Sequence, residues 1–209
     1  MINRRIYFII LLFFTNQLFS QLVYDQWDDI IPFSLTEKYK DSINVENIHS
    51  LVLPSFNNDS LCKLHNNGKS LSEIGASCAI GFNIDTSDVS IFESGTKFKI
   101  KEGYLWIYTI ESKSARELIA VIEKFTIPDG AYLSLYDAHK TNVIKDPETY
   151  TSSENEMIKK DNGITELSFG GKMVIEFFQP ISCSSTPKII LKEIGYNFLS
   201  LINKTNYHE

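Results

Sequence analysis

The chain has 209 residues, of which 43% are hydrophobic and 22% charged, with a formal net charge of -6. That composition is rich enough for a packed core and excludes wholesale disorder. A mildly acidic chain without a basic run also lacks the electrostatic footprint for nucleic acid or an anionic membrane surface.

The N-terminus has a use of its own. Asn3-Arg4-Arg5 is a basic start, Ile6 to Phe14 is unbroken apolar sequence, and Leu18-Phe19-Ser20 offers a small residue before Gln21. Those are the parts of a secretory signal peptide over 1–20. The apolar run falls short of the roughly 20 residues a membrane helix needs, and no later segment approaches that length. The mature chain is therefore expected outside the cytoplasm, secreted, periplasmic or at the cell surface, and free of the membrane after cleavage.

Residues 21–50 are polar and mixed, with Pro32 early and a weak helical turn over Ser34 to Ile43. They read as an N-terminal arm apart from the core. The core domain is expected over 51–198, with 199–209 as a C-terminal tail. From Cys78 onward the pattern is that of strands. Ala79 to Ile84 alternates, and Lys97 to Lys101 places Phe98 and Ile100 opposite three lysines, the period of two that marks a strand. Tyr104 to Ile110 is aromatic and β-branched, and Leu118 to Ile127, stopped by Pro128-Asp129-Gly130, is a strand by its Ile and Val content. Ala131 to Tyr136 alternates again. Lys140 to Gly163 is a long polar loop with a short strand at Asn142 to Ile144.

Ile164 to Phe169 and Lys172 to Phe178 read as a hairpin around Gly170-Gly171, because adjacent glycines supply the positive φ of a tight turn. In its second arm Met173, Ile175 and Phe177 lie opposite Val174, Glu176 and Phe178. Pro180 ends it, Ser182 to Thr186 bend, and Lys188 to Phe198 is the last strand. Roughly eight short strands without helix alternation predict an all-β fold, an antiparallel two-sheet β-sandwich with a short N-terminal arm.

The three cysteines are Cys62, Cys78 and Cys183. An oxidising compartment favours one disulfide. Cys62 with Cys78 is the nearest pair, Cys78 with Cys183 is an alternative, and packing as small hydrophobes is a third. No Cys-x-x-Cys occurs, so neither a thiol redox motif nor a thiolate zinc cage is indicated.

Chemistry-bearing patterns are sparse. No serine sits in a nucleophile-elbow context. His49, His65, His139 and His208 lack a second histidine at metal-ligand spacing, so no metal site is expected. Asp28-Asp29 and Asp85/Asp88 are the close acidic pairs; Asp85 to Asp88 is better read as a strand-linking turn than as a calcium loop. Tyr104, Trp106 and Tyr108 share one face of a strand, which is core if turned inward and a sugar-binding platform if turned outward.

The order of segments carries a resemblance. Leu53-Pro54-Ser55-Phe56-Asn57 is followed by Gly103-Tyr104-Leu105-Trp106, by Ile110 to Ala115, by Phe125-Thr126-Ile127-Pro128-Asp129-Gly130-Ala131-Tyr132-Leu133-Ser134-Leu135-Tyr136, by Gly170 to Pro180, and by Ile194-Gly195-Tyr196. Over about Leu51 to Phe198 this resembles the N-terminal pro-region of secreted bacterial trypsin-like serine peptidases of the lysyl endopeptidase kind. The Ile127 to Tyr136 block is the most specific part. In that family a peptidase domain follows, whereas this sequence ends at Glu209 without its His- and Ser-bearing motifs. The resemblance carries over no catalytic residue or cofactor. It implies a non-catalytic module whose partner is a separately encoded secreted serine peptidase, or a remnant of a truncated one. A free-standing module for sugars or cell-surface glycans is the alternative.

Overall fold

The computed structural model describes residues 30–48, 50–70, 80–138, 148–155, 168–169 and 171–199. The signal peptide, Asp28-Asp29, His49, Cys78, His139, the strand at 142–144, His208 and nearly all of the tail lie outside the described residues, so the Cys62–Cys78 pairing does too. The chain divides into two units, Met1–Ile31 and Pro32–Glu209, and nearly all of the described residues belong to the second.

The protein is mostly β. Ten strands form among the described residues: β1 (Ser50–Val52), β2 (Gly81–Ser90), β3 (Thr96–Lys99), β4 (Gly103–Glu111), β5 (Glu117–Thr126), β6 (Tyr132–Asp137), β7 (Glu148–Tyr150), β8 (Ser168–Phe169), β9 (Lys172–Pro180) and β10 (Lys188–Asn197). Two helices accompany them, α1 (Asn58–His65) and the single turn α2 (Ile91–Ser94). Neither is long and apolar enough to cross a membrane. The first sheet runs β1-β4-β9-β6-β7, with β3 sharing an edge of β4 with β1, and the second runs β2-β10-β5-β8.

Where they fall on the described residues the expected strands form, with three corrections; 164–167 and Gly170 lie outside the described residues. The count is ten rather than about eight, because short pieces such as β1, β7 and β8 carry no alternation to read. The pairing is not wholly antiparallel, since β1 runs parallel to β4, with Leu51 opposite Ile110. The hairpin around Gly170-Gly171 does not form. β9 pairs with β4 and β6, whereas β8 pairs with β5, Phe169 standing opposite Glu117 in the other sheet. Gly171 lies at the crossing between sheets, its φ is not positive, and a Cβ there would run into the Ser112 carbonyl oxygen. Close approach, not turn geometry, demands glycine at 171.

The main core joins both sheets. It takes Trp106, Tyr108 and Ile110 from β4, Leu133 and Leu135 from β6, Met173, Ile175 and Phe177 from β9, and meets Leu118, Ala120, Ile122 and Phe125 of β5 and Leu191, Ile194 and Tyr196 of β10. The two-residue step slips to three between Ile122 and Phe125 and between Leu191 and Ile194. The β5–β10 register shifts in that region, and the bulge returns the apolar side chains to the inner face.

α1 begins where Asn57 Oδ1 accepts from the Ser60 N–H at 2.9 Å. The first residue of α1 is tied to the second sheet through Tyr196, fully buried, whose hydroxyl donates to Asn58 Oδ1 at 2.9 Å and lies 2.8 Å from Ser114 Oγ. Tyr196→Phe is expected to cost about 0.5–1.5 kcal/mol, since it removes the hydroxyl bonded to two half-buried partners; urea unfolding would measure the loss.

A second apolar cluster lies on the other face of the first sheet. Leu105 and Ile107 of β4, Tyr136 of β6 and Val174 and Phe178 of β9 pack there with Ile43, Val45 and Ile48, and with Phe33, Leu35 and Tyr39. The N-terminal segment is thus part of a core rather than an arm apart from one. Its Ser34 to Ile43 stretch takes up a 3₁₀ turn at Phe33–Leu35 followed by turns, as Lys40 N–H bonds the Thr36 carbonyl and Ile43 N–H the Tyr39 carbonyl.

Asp85 to Asp88 lie inside β2 rather than in a turn between strands. Ser87 and Asp88 have φ of 58° and 57°, the Ser87 N–H bonds Asp85 Oδ1 at 2.7 Å, and Thr86 Oγ1 donates to the Leu191 carbonyl at 2.7 Å. The ladder to β10 continues on either side, from Asp85 opposite Glu193 to Val89 opposite Leu191. A β-bulge held by side-chain bonds therefore replaces the turn.

Candidate functional site

The open hollow at one edge of the core is built by α2, the middle of β4 and the start of β10. Its volume is about 710 Å³, and Phe92, Trp106, Gln179, Lys188, Asp88 and Glu93 are among the residues lining it. α2 breaks the chain after β2, and this single turn aims Phe92 inward. The Phe92 ring meets Trp106 edge-on at 5.4 Å and Phe177 at 5.1 Å, the T-shaped geometry that the ring quadrupole favours. Lys97 of β3, opposite Trp106 in the ladder, holds its ammonium 4.5 Å from that ring and 4.4 Å from Tyr104. Gln179 closes the far side, its amide donating to the Ser185 carbonyl at 3.0 Å and to the Cys183 carbonyl at 3.3 Å. The 181–187 bend is fixed to the sheet in this way. The result is a hollow that combines the aromatic Phe92 and Trp106 with the charged Asp88, Glu93 and Lys188, suited to a ligand with an apolar body and charged or hydrogen-bonding ends.

Tyr104, Trp106 and Tyr108 face the core side of β4. Trp106 is 9% and Tyr108 6% exposed, and Tyr104 is half-buried. They do not form an outward stripe; of the three, Trp106 lines the hollow. Burial pushes the Tyr108 hydroxyl pKa upward. Cys62 is buried on α1, 3.6 Å from Asn66 Nδ2, and Cys183 is half-buried, its Sγ 3.6 Å from Gln179 Nε2; among the described residues neither is in a disulfide. His65, at the end of α1, stacks on Phe82 at 6.0 Å and Phe198 at 5.9 Å. Among the described residues no cluster of three or more His, Cys, Asp or Glu could hold a metal ion.

A second polar constellation escaped the sequence reading. Glu176 sits in the middle of β9 on the outer face and is fully buried. The N–H of Phe33 donates to Oε1 at 2.6 Å and that of Ser34 to Oε2 at 3.3 Å. The Ser34 hydroxyl also bonds Oε2, and it lies 2.5 Å from the Tyr136 hydroxyl, itself 3.5 Å from the same oxygen. Burial raises the Glu176 carboxyl to about 7, against the opposing pull of those donors. Burial and the neighbouring Glu176 charge push the Tyr132 and Tyr136 phenols well up. The signal that marks this site in sequence is the combination of apolar residues on both faces of β4, β6 and β9 with one carboxylate among them. No protein-family model, curated protein or solved structure matches this chain.

Proposed function

We propose that this chain is a secreted, non-catalytic β-sandwich module that binds a partner protein, and that a serine peptidase of the lysyl endopeptidase kind is that partner. The sandwich reading is supported by the main core, to which side chains of both sheets contribute. The identity of the partner rests on the resemblance of about Leu51 to Phe198 to the pro-region of such peptidases. The observation that carries a binding role is the open hollow that combines Trp106 and Phe92 with Asp88, Glu93 and Lys188. Aromatic anchors together with polar groups are what protein interfaces use.

The test is titration of the exported protein into a lysyl endopeptidase while peptide hydrolysis is followed, with calorimetry for affinity. Saturable inhibition is expected. The variant Lys188→Glu, a surface change with little cost to folding, should weaken it about tenfold or more, as removal of a complementary interface charge does. Absence of both heat and inhibition would overturn the peptidase reading. Hits on a glycan array in that case would assign the hollow to sugars.

A further inference from the structure

We propose that residues 33–48 form a pH-sensitive strap across the outer face of the first sheet, with the Glu176 carboxyl as its latch. This goes beyond the binding reading and does not depend on it.

The strap is seated by two kinds of contact. Phe33 packs its ring against the touching pair Phe178, at 4.6 Å, and Tyr132, at 6.3 Å, while Ile43, Val45 and Ile48 bury against the sheet. Beneath the ring, Glu176 receives the Phe33 and Ser34 amides and the Ser34 hydroxyl, all from the strap. Phe33 to Leu35 are a single 3₁₀ turn, too short to stand without these contacts. Lifting the strap would therefore release the latch and bring water to Glu176.

Hydrated, the carboxyl returns to its ordinary value of 4.5; seated, it lies at about 7. The seated state binds a proton more readily, so seating is strongest below pH 4.5 and is lost as pH rises through 7. A protonated carboxyl can still serve as latch, since Ser34 Oγ or the Tyr136 oxygen accepts its proton while Oε1 keeps the Phe33 amide. The other charged or titratable groups facing the site leave this window intact. Tyr132 and Tyr136 of β6 stay neutral across it, and the facing β4 side chains Leu105, Ile107 and Thr109 carry no charge. Lys38 and Tyr39 of the strap hydrogen-bond Glu102, before β4, and hold that exposed carboxyl at about 2. Its contribution disappears only as pH falls toward that value.

Amide hydrogen exchange on the full chain, expressed as protection factors to remove the intrinsic pH dependence, tests the strap. Protection of 33–48 is expected to fall from pH 5 to pH 8, by at most tenfold per unit and on the order of a hundredfold in all. Strands β9 and β10 should hold theirs. Glu176→Gln, whose amide imitates the protonated acid, should give a flat profile with the strap seated throughout. Equal protection of the wild-type strap at pH 5 and pH 8 would overturn the proposal whether or not the variant folds. So would a Glu176→Gln profile as steep as the wild type.

Discussion

Phe177→Ala is expected to lower the unfolding free energy by about 3–5 kcal/mol, the range for deleting a fully buried aromatic ring. The position explains why the upper part of that range applies. Phe177 is 0% exposed, touches Phe92 at 5.1 Å and Trp106 at 6.0 Å, and belongs to the central run of β9, hydrogen-bonded to β4 and β6 on both sides. Neighbours on two flanking strands cannot collapse into the space, so most of the cavity persists. Much of a typical domain stability of about 5–15 kcal/mol would be lost. Urea unfolding followed by tryptophan fluorescence would measure it, and a loss under about 1.5 kcal/mol would mean that the two sheets do not share this core. Because Phe92 would lose one of its two edge-on ring partners, the hollow should loosen at the same time, a local effect visible in exchange at 91–94.

Gly171 supplies the second large effect, and one that separates two structures. A hairpin turn built on positive φ would accept asparagine at a glycine position with small penalty. At the crossing between sheets any side chain meets the Ser112 carbonyl, whose own residue donates its N–H to the Gly171 carbonyl at 2.6 Å. Neither backbone can yield without breaking that bond. Gly171→Ala and Gly171→Asn are therefore expected to destabilise alike, by about 1–3 kcal/mol. Thermal unfolding of both variants measures the difference, and an asparagine variant as stable as wild type would restore the turn.

The strands of this protein are legible where alternation runs for five residues or more. Lys97 to Lys101 declares both its type and its faces, whereas Tyr104 to Ile110 and Lys172 to Phe178, apolar on both sides, declare only their type. The pairing is not legible in the same way. Gly170-Gly171 between two apolar runs looks the same whether the runs pair with each other or with different sheets, because short-range turn chemistry does not encode a partner far along the chain. Asp85 to Asp88 mislead for a related reason: four polar residues resemble a loop, yet their side chains supply the local bonds that let a strand bulge and continue. The N-terminal segment is hidden by its own composition, with isolated Phe33, Ile43, Val45 and Ile48 too dispersed for a period. The sheet it covers holds the better clue, since Leu105, Ile107, Tyr132, Tyr136, Val174 and Phe178 are too apolar for a water-facing side. Glu176 among them needs a cover that brings donors, which the strap does.

The kink at Ser87 and Asp88 has a consequence for the protein's behaviour at high concentration. β2 ends its sheet among the described strands, so one flank of its backbone has no ladder partner there. A straight ten-residue flank of that kind is a template on which another molecule can add a strand and begin an aggregate. Two left-handed residues interrupt the template at its middle and twist the remainder away. Straightening β2 by deleting residues from the bulge should thus yield a chain that folds but tends to self-associate, which light scattering at rising concentration would register.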